Sequence, residues 1–99
     1  MKLKDLIDFK AGERTVKVIV DNPEHGAALV MALDKGVSIP EHSTNANVLV
    51  QVLEGTCEFT LEGEKNVLNE GDFILLSPGA KHSLYAPEPF KVLVTKINA

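Results

Sequence analysis

From Thr56 to Glu62 the chain alternates strictly between polar and apolar residues, with Cys57, Phe59 and Leu61 on one parity. A period of two belongs to a strand with one wet and one buried face, so the segment predicts a strand that buries those three. Glu54-Gly55 before it and Glu62-Gly63-Glu64 after it are turn signals, and they predict an antiparallel meander. Further strands are predicted at Arg14–Asp21, Ala27–Asp34, Asn47–Glu54, Lys65–Leu68, Asp72–Leu76, His82–Ala86 and Phe90–Ile97. Asn22 to Gly26 reads as a turn, and Pro78-Gly79 and Pro87-Glu88-Pro89 punctuate the later strands. Only Leu3, Leu6 and Ile7 show helical spacing, and that stretch is too short to hold a helix alone. Many short strands with frequent turns mean a sandwich or barrel. No segment supplies the crossover helices that parallel strands need. The pattern therefore predicts an all-β, antiparallel domain spanning residues 1–99.

Two of these strands do not alternate. Ala27 to Leu33 and Val48 to Leu53 are apolar on both faces, whereas an antiparallel strand with one wet face should not be. One face packs in the core and the other needs a cover. A second copy of the chain, forming a homodimer, is the simplest cover, because an exposed apolar sheet face is an association liability. The N-terminal segment is the alternative source.

Two glycine frames each enclose a histidine. The first runs from Gly36 through Val-Ser-Ile-Pro-Glu to His42 and closes at Gly55; the second runs from Gly71 to Gly79-Ala-Lys-His82. At ordinary residue usage both frames arise together by accident in on the order of one chain in ten thousand of this length, so the pair is informative. It resembles the two motifs of the cupin superfamily, G-x5-H-x-H-x3-E-x6-G and G-x5-P-x-G-x2-H-x3-N. The resemblance covers Gly36 to Ala86, about half the chain, and implies a jelly-roll β-barrel, the double-stranded β-helix. The four frame glycines read as turn residues whose backbone conformation others disfavour.

In that family two histidines and a glutamate of the first motif, with one histidine of the second, hold a metal inside the barrel. Here Thr44 stands at the second histidine and Val48 at the glutamate. Ser77 and Ala86 replace the second motif's proline and asparagine. The resemblance thus implies a degenerate, two-histidine site in which His42 and His82 point inward from neighbouring strands. They are the candidate metal ligands, for Zn, Fe, Ni or Mn; neutral imidazole suits Zn, Fe and Ni in particular. Two donors are fewer than the three protein ligands of a catalytic zinc site or of an iron oxygenase. A cavity with valine at position 48 is drier and less charged than one with glutamate, and it suits a small, largely apolar molecule. His42, Thr44, His82 and Tyr85 are the polar groups expected to orient that molecule beside Val48; Val50 and Val52 share its face and read as core.

The reading is a small-molecule-binding barrel whose catalytic residues, if any, are not legible. One alternative is a metal-dependent enzyme of the dioxygenase or isomerase kind, using His42 and His82 plus a further ligand. Another is a regulatory or structural dimer with a vestigial pocket. His25 reads as a solvated turn residue, and Cys57 as a small core hydrophobe. Ser43 and Ser77 lack a nucleophile-elbow setting.

Composition narrows the partners. Ninety-nine residues with a net charge of −4 and scattered lysines argue against a nucleic-acid partner, which needs a basic face. No stretch is long and apolar enough to span a membrane or act as a signal peptide. The single cysteine fits a reducing compartment, and a cytoplasmic location is expected.

Overall fold

The computed structural model describes residues 1–98. A 3-10 turn at Leu3–Leu6 precedes nine strands: β1 Arg14–Asn22, β2 Gly26–Leu33, β3 Ser38–His42, β4 Ala46–Glu54, β5 Thr56–Leu61, β6 Glu64–Asn69, β7 Phe73–Leu76, β8 His82–Tyr85 and β9 Phe90–Asn98. They form a five-stranded sheet in the order β1-β2-β9-β4-β7 facing a four-stranded sheet in the order β3-β8-β5-β6. Every strand pair is antiparallel. This is the jelly-roll arrangement of two facing sheets closed into a barrel. Among the described residues no helix is long and apolar enough to cross a membrane.

Alternation decides what each strand buries. Cys57 and Phe59 of β5 are fully buried, as the pattern required, and Leu61 is half-buried at the strand's end. On β4 the inward set is Ala46, Val48, Val50 and Val52, all buried. The same parity on β9 buries Phe90, Val92 and Val94. These residues interleave with Leu33, Ile39, Leu68, Leu76 and Leu84 in one core between the sheets.

Although the family resemblance put His42 on a strand, the alternation pattern did not mark β3. It is five residues long, carries Pro40, and has a register irregularity between Ile39 and His42. Proline donates no ladder hydrogen bond, which is why such a segment reads as loop. β3 tolerates it by lying at a sheet edge.

The outer face of the non-alternating strands is covered in part by the N-terminal segment. Ile7 packs with Val30 and Ala32, joined by Leu6, Phe9, Leu53 and Leu93. Lys91 pins this flap: its buried Nζ donates to the Lys4 carbonyl at 2.8 Å and sits 5.0 Å above the Phe9 ring. The chain itself therefore provides cover that a second copy was expected to provide. Phe73, Leu75 and Ile97 remain exposed elsewhere on the chain's surface.

Candidate functional site

His42 ends β3 and His82 opens β8, and the two are direct cross-strand partners. Their rings meet with centroids 4.2 Å apart at a tilt of 59°. Both rings are held the same way. The Nδ1 of His42 bonds the Pro40 carbonyl at 2.9 Å, and the Nδ1 of His82 bonds the Ala80 carbonyl at 3.0 Å. A carbonyl only accepts, so each Nδ1 carries the proton, and a ring in its neutral form keeps its lone pair on Nε2. That tautomer follows from the hydrogen-bond partners rather than from an observed hydrogen.

The turn before β8 is fixed at several points. Gly79 N–H donates to the Thr44 carbonyl at 2.9 Å, which ties the second glycine frame to the first. Lys81 N–H donates to Glu62 Oε1 at 2.8 Å, and Glu62 N–H donates to the Lys81 carbonyl at 2.8 Å. The His82 ring then stacks parallel to buried Phe59, 5.7 Å away. His82 is buried, whereas His42 is exposed at the mouth. Burial holds the His82 pKa below its ordinary value. The Ala80 hydrogen bond opposes this, and the charges of His42 and Lys96 add to the depression. His82 is therefore neutral at pH 7.

Both imidazoles line a cavity of about 280 Å³ between the sheets. The five-stranded sheet contributes Val16, Leu29, Met31, Val48, Val50 and Val94, and the other sheet contributes Ile39, Phe59 and Leu84. Thr44, Arg14 and Lys96 complete the lining. Of the residues expected at the pocket, His42, Thr44, Val48 and His82 are brought together there. Tyr85 is not. It is exposed and absent from the lining, because it lies three residues from His82 and strand alternation turns it to the opposite face. Val50, expected as plain core, belongs to the lining as well.

Besides apolar wall residues, sequence reasoning missed the two cations of the lining. Lys96 continues the inward parity of Phe90, Val92 and Val94 on β9, and it stands directly opposite Val48 across the β4–β9 ladder. A charge at the next inward position of an apolar alternating run was the available signal. Arg14 sits on the edge strand β1, exposed on both faces and broken by a register shift between Val18 and Val20, so no pattern marked it.

The donor set does not fit a resident divalent metal. Two Nε2 atoms are available, but no group of three His, Cys, Asp or Glu side chains that could hold an ion occurs among the described residues. Thr44 offers a neutral hydroxyl and Val48 none. No Asp or Glu lines the cavity among the described residues, while Arg14 and Lys96 do. A dication there would face like charge with no carboxylate to offset it. Cys57 adds nothing, since it is absent from the lining and burial pushes its thiol up to about 12, with Glu58 adding to the rise.

The cupin domain family matches residues 29–96. An uncharacterized protein of Aquifex aeolicus is 28% identical over 81 residues, which is 81% of this chain and 67% of that protein. A conserved protein of unknown function from Streptococcus pyogenes superposes with a TM-score of 0.94 at 27% identity, covering 100% of this chain and 86% of its own. A cupin superfamily protein from Desulfitobacterium hafniense shares the fold at a TM-score of 0.95 and 17% identity, covering 100% of this chain and 90% of its own. The two facing sheets, the paired histidines of the two glycine frames and the family match across residues 29–96 make this chain a member of the cupin family.

Proposed function

We propose that this cupin binds a small organic molecule in its barrel without a resident divalent metal. One observation carries the reading. The cavity that the two imidazoles share has Thr44 and Val48 where the family's second histidine and glutamate stand, and the rest of its lining is apolar or cationic. A volume of about 280 Å³ lies at the lower edge of the ligand-pocket range, near 300 Å³, so the ligand is small. Its apolar body rests on the valines of β4 and on Phe59, while the imidazole lone pairs and the Thr44 hydroxyl fix its orientation. The metal-dependent dioxygenase or isomerase reading lacks its further ligand and is not supported by the donor set.

Benzyl alcohol, titrated against protein with labelled methyl groups, tests this directly. Shifts are expected at Met31, Val48 and Leu84, which line the cavity, and not at Leu75 or Ile97, which do not line it. Zinc added at the same concentration is expected to leave the cavity methyls unmoved. Shifts confined to Leu75 and Ile97, or a response to zinc alone, would end the reading.

A further inference from the structure

We propose that the ligand is an organic acid, its carboxylate held by Lys96 and a hydroxyl or amine hydrogen donated to the imidazole pair; this rests on the cavity being the binding site. The electrostatics of the lining are one-sided: it includes Arg14 and Lys96 and, among the described residues, no carboxylate. Neither cation has a carboxylate within 4.0 Å among the described residues. The Lys96 residue is half-buried in the barrel wall, and an anion in the cavity would complement its charge.

Lys96 occupies the place that matters. Its cross-strand partner is Val48, the position where the family pattern carries a glutamate. Loss of that carboxylate, with a lysine opposite it, inverts the sign of charge at this end of the cavity. The site that would hold a cation in its relatives is built here for an anion. Lys96 lines the same cavity as both imidazoles.

Arg14 enters the lining from another place. It pairs with Leu33, which pairs with Phe90, and Lys96 lies six residues further along β9. At about 3.3 Å per residue the two backbone positions are roughly 20 Å apart along the strands. Lys96, opposite Val48, is therefore the cation assigned to the carboxylate.

The imidazoles refine the chemistry. With Nδ1–H spent on backbone carbonyls, a ring in its neutral form presents an acceptor and no donor to the cavity. A bare carboxylate facing those lone pairs would be repelled. A ligand that also offers an O–H or N–H donor satisfies them.

Mandelate, phenylacetate and mandelamide separate these contributions by calorimetric titration, with Val48 and Leu84 methyl shifts reporting location. Mandelate is expected to bind about tenfold tighter than mandelamide, as a charge-assisted hydrogen bond gives. Phenylacetate, which lacks the hydroxyl, is expected to be weaker than mandelate. Lys96→Met should abolish the preference for mandelate over mandelamide, and Lys96→Arg should restore it. Equal binding of mandelate and mandelamide in the cavity overturns the anion assignment and leaves the pocket standing. Equal binding of mandelate and phenylacetate removes the donor requirement. No cavity shift with any of the three overturns the pocket reading and this inference together.

Discussion

The double variant Thr44→His, Val48→Glu is expected to bind zinc at least about a thousandfold tighter than the natural chain, roughly 4 kcal/mol. The reason is geometric. His42 and His82 already meet at 4.2 Å between ring centroids, with both Nε2 lone pairs free, and positions 44 and 48 line the same cavity. Two added donors raise the count from two to four, the number a closed zinc site uses. Each single variant is expected to fall between, since three ligands hold zinc less tightly than four. A carboxylate at position 48 would stand opposite Lys96, and that opposite-charge pair limits the cost of burying it without metal. In the metal-bound form the variant should gain about 2.7 kcal/mol of stability at a hundredfold excess of zinc over its dissociation constant. Competitive titration with a zinc chelator measures the affinity. An unchanged affinity in the double variant would mean that the imidazole lone pairs do not converge with positions 44 and 48.

A second large effect is expected at Gly55, where Ala should lower stability by about 3 to 4 kcal/mol. Gly55 links β4 to β5 at φ +80°, in the left-handed region that side chains disfavour. A Cβ there would run into the Pro89 carbonyl oxygen and come within 3.0 Å of the Phe90 Cα. Both obstacles are backbone, and Phe90 is fully buried, so neither can swing aside. Gly71 is the control. Its φ of +90° is similar, but a Cβ added there would meet nothing within 4 Å, so Gly71→Ala should cost only the conformational strain, about 1 kcal/mol. For a domain of this size the melting temperatures should fall by roughly 15 °C and 5 °C respectively. Equal losses in the two variants would show that the Pro89 contact is not what requires glycine at position 55.

The physics of alternation explains which parts of the site were legible. β5 declares itself because every second residue is apolar and its turns carry glycine. The inward set of β4 follows from the same rule once Val48 is placed inside. The rule also contained the answer for Tyr85 and Lys96. An odd separation from His82 sends Tyr85 outward, and an even separation from Val94 keeps Lys96 inward. What alternation could not reach lies at the edges. Pro40 and the irregularity beside it hide β3, and with it the strand that carries His42. Exposure on both faces hides the role of Arg14. The flap of Leu6, Ile7 and Phe9 has no period, so its place over Val30 and Ala32 depends on tertiary packing, including the reach of Lys91 to the Lys4 carbonyl.

The exposed Val18, Val20, Phe73, Leu75 and Ile97 leave the homodimer as a proposal that fits the fold.

Metal content bears most directly on the central claim. The natural protein, isolated without chelator and analysed for Zn, Fe, Ni and Mn by mass spectrometry, is expected to carry far less than one equivalent of any of them. Near-stoichiometric metal that disappears in His42→Ala would contradict the account.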